Sequence, residues 1–233
     1  MTTYKYTLSP LATLFFLGAV SFPFITWFMT LHTVTRIWFG GSLLTTCAGN
    51  FGMINIFHLV WSFNEFGNFE IWRLLTPFLF VGKTGYDTLL DLYMIYQFSE
   101  QYEAGGPYNI VAGGGALDYI FMLMLGGMLI LISYASLNTF VPAIPLFTTN
   151  LSFYVLYIWS TQNPMSPANV LGFQMKSYQL PFAYFVIAVL MRNPPWGMVH
   201  GIACGHVFCY LLDMVPLDNR AILRACLYWS MRK

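Results

Sequence analysis

The chain is short of charge: 8% of its 233 residues are Asp, Glu, Lys or Arg, against 58% hydrophobic residues. Soluble domains carry roughly 25% charge, and a protein of this length cannot hide so much apolar surface from water. Mean hydropathy is +0.62, so lipid is the expected solvent for much of the chain. A basic run is missing as well, and a net charge of +1 says nothing for nucleic acid, so no nucleic-acid partner is expected. Cysteine is sparse. Cys47, Cys204, Cys209 and Cys226 are scattered, without a Cys-x-x-Cys pair, and read as small apolar residues rather than metal ligands or a disulfide framework. His32, His58, His200 and His206 show no zinc spacing, and six residues put His200 and His206 on different helix faces. Neither a metal nor a cofactor is expected. Gly-x-Ser-Gly, the setting of an intramembrane serine nucleophile, does not occur; Ser42 follows Gly40 and Gly41 and reads as a small packing residue. Gly82-Lys-Thr84 lacks the earlier glycine of a phosphate loop, which Pro77 replaces.

What is present is a series of apolar segments of about the ~20 residues that cross hydrocarbon. Expected spans are 37–61, 86–98, 117–138, 142–159, 168–191 and 196–215. The second and fourth are short, which implies local bilayer thinning. Gly40, Gly41, Gly49 and Gly52 leave the first span with a small face suited to close helix contact. Between the first two spans, residues 69–82 hold Trp72, Arg73, Pro77 and Gly82 among apolar residues. A water-side loop does not need that much apolar surface, and a spanning helix does not place Arg, Pro and Gly there. The segment reads as a loop dipping into the interface and packing on the helices, with Trp72 at interfacial depth. Three domains are expected: an N-terminal segment 1–36, a membrane region 37–216 and a short amphipathic tail 217–233. Residues 11–31 fit a signal peptide or an interfacial segment, and Pro23 between Phe22 and Phe24 favours the second. The Lys and Arg distribution favours both termini on the cytosolic side.

Ionisable residues inside spans are costly and mark function. Asp87 and Asp91, four apart, share a face of the second span, and Lys176 falls in the fifth. Counted from the cytosolic ends, Asp91 and Lys176 lie at similar depth, which suggests one aqueous cavity and an ion pair. Gly201 and Gly205 make a small-x-x-x-small step in the sixth span, where two backbones can approach closely.

Thr33-Val-Thr-Arg36, Ile71-Trp-Arg-Leu-Leu-Thr76, Tyr96-Gln-Phe-Ser99, Asp118-Tyr-Ile-Phe-Met122, Leu156-Tyr-Ile-Trp159, Lys176 with Leu180-Pro181, and Gly201-x-x-x-Gly205-His206 are together similar to the Derlin family. Derlins are the proteolytically inactive relatives of rhomboid proteases. The resemblance runs from about residue 30 to 216. It implies an all-α, polytopic membrane protein, a rhomboid-like six-transmembrane-helix bundle with an interfacial loop after the first helix. It implies the endoplasmic reticulum membrane and a retrotranslocation role in ER-associated degradation, with misfolded luminal or membrane proteins as clients. Implied partners are a membrane ubiquitin ligase complex, an AAA-ATPase and homo- or hetero-oligomers. The tail lacks the Phe-x-Gly-x-Gly type of motif, so contact with the ATPase is expected to be indirect. Trp72 and Arg73 fall on the family's Trp-Arg motif, and Gly201 and Gly205 on its Gly-x-x-x-Gly motif. A lateral opening between the second and fifth helices is implied too, which Asp87, Asp91 and Lys176 would line. By the same resemblance the rhomboid serine falls near Thr148 and the histidine on Met198, whose thioether cannot serve as a base. The rival readings are an active intramembrane protease, a small-solute transporter built on Asp87, Asp91 and Lys176, and a membrane scaffold.

Overall fold

A computed structural model describes residues 23–61, 71–105, 115–137, 145–170, 172–191 and 194–214. Residues 1–22 and the tail 217–233 lie outside the described residues, so those two expectations are untouched by it. The described residues are mostly helical, with six principal helices among them: α1 (Thr33–Asn50), α2 (Tyr86–Gly105), α3 (Gly115–Leu137), α4 (Thr148–Gln162), α5 (Leu180–Leu190) and α6 (Trp196–Met214). Among the described residues one stretch, Ala116–Ser136 in α3, is both long and apolar enough to cross a membrane by itself. The others carry polar residues or are short, as α2 shows with Asp87, Asp91, Glu100 and Glu103.

Burial places α4 at the centre. Thr148, Asn150 through Leu156, and Ile158 through Ser160 are all buried, so the helix is enclosed on every side. Small residues on its neighbours make that possible. A β-carbon on Gly126 of α3 would collide with the Tyr154 ring, and one on Gly201 of α6 with the Asn150 carbonyl oxygen. Tyr154 also donates its hydroxyl to the Met122 carbonyl at 3.1 Å, which ties α4 to α3.

The start of α1 is capped by a residue from another helix. Glu103 of α2 accepts from the Val34 and Thr35 amides at 3.0 and 2.9 Å and from the Thr35 hydroxyl at 3.0 Å. A carboxylate at a helix N-terminus satisfies orphan N–H groups and opposes the helix dipole, an effect worth about 0.3–2 kcal/mol. Glu100 closes the same end, accepting from the His32 amide and meeting its Nδ1 at 2.6 Å. The cluster continues to α3 through Ser99 and Tyr119, whose hydroxyls lie 2.6 Å apart.

The fifth segment differs from the expectation. Residues 168–191 do not form one helix. Pro167–Val170 pairs antiparallel with Phe173–Lys176 as a short hairpin (β1 and β2). Gly172 turns the chain at φ +90°, a conformation open to glycine and strained for other residues. One 3₁₀ turn, Ser177–Gln179, then leads into α5. The helix that remains has 11 residues, and Lys176 is an exposed hairpin residue instead of an intrahelical one.

Candidate functional site: a docked loop and a polar belt around α4

Residues 71–82 reach the bundle as two 3₁₀ turns, Ile71–Leu74 and Thr76–Phe78. Pro77 can start the second because the first turn of a helix needs no donor there. The loop is held mainly through its carbonyl oxygens. Phe147 donates its amide to the Pro77 carbonyl at 2.8 Å, and the Trp38 indole donates to the Phe78 carbonyl at 3.2 Å. The Thr148 hydroxyl lies 3.2 Å from the Pro77 carbonyl and 2.9 Å from that of Phe80. From α1, the Thr46 hydroxyl accepts from the Val81 amide at 3.2 Å, and the Asn50 side chain donates to the Gly82 carbonyl at 2.9 Å. Phe80 is 1% exposed and lies against Gly49, while Leu79 covers Gly41 and Phe28 covers Gly40. The small face of α1 therefore receives side chains of the loop and of the helical residues 23–30. Gly52 lies beyond the helix, in a positive-φ turn.

Trp72 and Arg73 point to opposite environments. Trp72 is 52% exposed and Arg73 only 7%. The Arg73 guanidinium donates from Nη1 to the Phe57 carbonyl at 3.2 Å and meets His58 Nδ1 from Nη2 at 3.3 Å. It thereby pins the 3₁₀ turn Ile56–His58, which follows α1, to the loop that precedes α2. Burying a cation here is eased because both terminal nitrogens have an acceptor.

Gly201 and Gly205 bring α6 against α4. A β-carbon on Gly201 would strike backbone atoms of Asn150, and one on Gly205 would lie 3.0 Å from the Tyr157 ring and 3.3 Å from the Tyr154 carbonyl oxygen. The contact is thus backbone on backbone at Gly201 and softer at Gly205. Beside it runs a polar chain that the sequence reading did not find. Asn150 Nδ2 is 2.7 Å from His200 Nδ1, and His200 Nε2 is 2.6 Å from the Ser133 hydroxyl. Ser133 also reaches the Leu129 carbonyl at 2.6 Å. One proton assignment satisfies every group: Asn150 donates to Nδ1, Nε2–H donates to Ser133, and Ser133 donates to Leu129. In that arrangement His200 gives a proton to the hydroxyl instead of taking one, the reverse of a base activating a nucleophile. Met198 is buried, and Thr148, the first residue of α4, spends its hydroxyl on the loop.

The three charged residues expected to share a cavity are not brought together. Asp91 accepts from the Thr149 hydroxyl at 2.7 Å, at the first turn of α4. Lys176 precedes Ser177, whose amide donates to the Ser166 carbonyl beyond the far end of α4. The 15 residues of α4 separate these levels by about 22 Å at the helical rise, so Asp91 and Lys176 do not pair. Asp87 lies in the first turn of α2, exposed. The similar depth expected for Asp91 and Lys176 came from extending the fifth helix back through the hairpin.

Comparison with known proteins finds relatives over most of the chain. A probable derlin-2 homolog of Dictyostelium discoideum is 29% identical over 207 residues, covering 87% of this chain and 80% of its own. Derlin-1 of Homo sapiens is 28% identical over 197 residues, covering 82% of this chain and 74% of its own. Derlin-2.1 of Zea mays is 27% identical over 199 residues, covering 82% and 78%. Residues 31–224, which include the docked loop, α4 and the Gly201–Gly205 step, match the Der1-like family, and the chain belongs to that family.

Proposed function

We propose that the chain is a non-catalytic retrotranslocation factor of the endoplasmic reticulum membrane, which eases misfolded proteins towards cytosolic degradation. The observation that carries this reading is the Der1-like match over residues 31–224. The geometry supplies a physical route. In this reading α1 to α6 are six membrane-embedded helices with both termini in the cytosol. At about 1.5 Å per residue α5, whose Phe182, Val186 and Leu190 are exposed, is roughly 17 Å long, against a hydrocarbon thickness of about 30 Å. A lipid-facing helix this short favours a locally thinned bilayer. Thinning shortens the path over which a client's unpaired backbone groups lack water, at several kcal/mol for each such group. Trp72, exposed on the loop, sits at interfacial depth and fixes how the bundle rides in the lipid.

Clients enter between α2 and α5, which touch through Phe98 and Tyr184 with ring centroids 5.8 Å apart. The partners of this reading are a membrane ubiquitin ligase complex, an AAA-ATPase reached indirectly, and further copies of the chain or its relatives. The separation of Asp91 from Lys176 weighs against a transporter built on that pair.

The test is site-specific photocrosslinking in cells, from positions along α2 and α5, to a misfolded luminal client, with the client's half-life followed after depletion of the protein. Adducts on both helices and a longer half-life are expected. Adducts confined to other helices, or an unchanged half-life, overturn the reading.

A further inference from the structure

A groove of about 670 Å³ opens where α1 ends and α2 begins, lined by Leu43, Thr46, Cys47, Asn50, Leu89 and Leu92 among others, with Lys83 and Thr84 at its mouth. The volume lies within the roughly 300–1,000 Å³ of small-molecule sites. Its chemistry is graded along its length. At the mouth, the Lys83 ammonium is exposed and has no hydrogen-bond or ion-pair partner among the described residues. The backbone beneath it is fixed. Thr84 donates its amide to Asn50 at 2.9 Å, Asn50 holds the Gly82 carbonyl, and Thr88 donates to the Lys83 carbonyl. No lining residue is acidic; the nearest carboxylate in sequence, Asp87, folds over Gly85. Inward from the mouth the walls are largely apolar, and the Thr46 and Thr88 hydroxyls there are engaged by the Val81 amide and the Lys83 carbonyl. From Asn50 to Leu43 the groove descends about 10 Å along α1, and Leu89, on the facing helix, is 63% exposed.

We propose that this groove holds one glycerophospholipid, with its phosphate on Lys83 and one acyl chain between Leu43, Leu89 and Leu92. The inference rests on the membrane placement in the preceding reading but not on client handling. Charge complementarity selects an anionic group at the mouth, and a lysine is a good point-charge ligand for phosphate. The floor selects what hangs below it. Backbone donors and acceptors of α1 and α2 are consumed within their helices, so an extended peptide in the groove would leave its own amides unpaired, at several kcal/mol for each group. An acyl chain has no such groups. A free phosphate would satisfy Lys83 and leave the apolar floor empty.

The full-length protein is reconstituted in phosphatidylcholine nanodiscs doped with an anionic phosphatidylglycerol that carries a diazirine on one acyl chain. After photolysis, adducts are mapped by peptide. Adducts are expected to concentrate on residues 43–47 and 89–92, above the level on the exposed α5 residues Phe182 and Leu190. Lys83→Glu should reduce groove adducts about fivefold or more, given about 1 kcal/mol for each cation facing an anionic headgroup and the added repulsion. Leu89→Trp, which fills the groove from an exposed position, should remove them, with the α5 adducts unchanged in both variants. Equal labelling of the groove and α5, indifferent to both substitutions, would mean bulk lipid only and overturn the proposal. Displacement by millimolar inorganic phosphate would overturn it in favour of a free-anion site. Since no client is present, the outcome is independent of whether the protein acts in retrotranslocation.

Discussion

Gly201→Ala sets two effects of opposite sign against each other. On an isolated helix, alanine in place of glycine is favourable by about 1 kcal/mol. In this bundle the new methyl group would overlap the Asn150 carbonyl oxygen and approach its carbonyl carbon to 2.9 Å. Those are backbone atoms of the central helix, so no rotamer change relieves the clash and α6 must move away from α4. Overpacking of this kind costs about 1–3 kcal/mol, occasionally more. The shift also loosens the Asn150–His200–Ser133 chain, where a lost buried hydrogen bond adds about 1–2 kcal/mol. The clash therefore outweighs the helix propensity, and a net loss of about 2–3 kcal/mol is expected. For a protein of this size that corresponds to a fall in Tm of roughly 4–12 °C.

Gly205→Ala is the internal control. Its methyl group would meet the Tyr157 ring at 3.0 Å and the Tyr154 carbonyl oxygen at 3.3 Å. The Tyr157 ring is partly exposed and can swing aside, while its β-carbon at 3.2 Å and the Tyr154 oxygen need give only a few tenths of an ångström, so propensity and crowding nearly cancel and Tm should change by less than about 3 °C. The assay is thermal unfolding of the two variants in one detergent, followed by elution of the folded species in size-exclusion chromatography. If Gly201→Ala is no less stable than Gly205→Ala, the backbone contact at Gly201 is not what holds α6, and the reasoning fails.

Three further outcomes follow from the same geometry. Arg73→Met should cost about 2–4 kcal/mol through the lost bonds to Phe57 and His58, measured by thermal unfolding, and Arg73→Lys should recover only part because an ammonium cannot span both acceptors; full stability of Arg73→Lys would refute the clamp. Ser133→Ala should leave client turnover in cells intact while lowering stability by about 1–2 kcal/mol, since His200 Nε2–H loses its acceptor; abolished turnover with unchanged stability would point to chemistry at the hydroxyl. In a double-mutant cycle, Asp91→Asn and Lys176→Met should be additive within about 0.5 kcal/mol, because the residues lie at opposite ends of α4; a coupling above ~1 kcal/mol would refute their separation.

The sequence made the docked loop legible because its composition is contradictory for either alternative. Trp72, Arg73, Pro77 and Gly82 among apolar residues suit neither water nor a spanning helix, and the loop is found packed on α1, α3 and α4. The Gly201–Gly205 step was legible too, since two glycines four apart in an apolar helix lie on one face. The hairpin was not. Residues 167–176 are apolar enough to pass for the start of a helix, and only Pro167 and Gly172 signal otherwise; a single glycine in an apolar run is a weak breaker. That one misplacement carried Lys176 into a helix and produced the apparent match in depth with Asp91. The Ser133–His200–Asn150 chain was out of reach for another reason. Its members come from α3, α6 and α4 and meet only because Gly201 lets α6 close on Asn150. His200 offered a signal, as a polar residue one position before that glycine and so at the same helix contact.

The position of Thr148 bears on whether the chain could cleave a peptide bond. In the resemblance to rhomboids it stands where the nucleophile would be, and a threonine hydroxyl is a competent nucleophile when a base takes its proton. Here that proton is directed at the Pro77 and Phe80 carbonyls, which are the points by which the loop is anchored to α4. The nearest imidazole on α6, His200, is engaged on both ring nitrogens by Asn150 and Ser133. Restoring a histidine at Met198 would therefore not suffice for hydrolysis, because Thr148 would have to release the loop before it could attack. Met198→His alone should show no cleavage of an apolar reporter segment. Cleavage by that single variant would mean that the Thr148 hydroxyl is free, and that the docking of the loop does not depend on it.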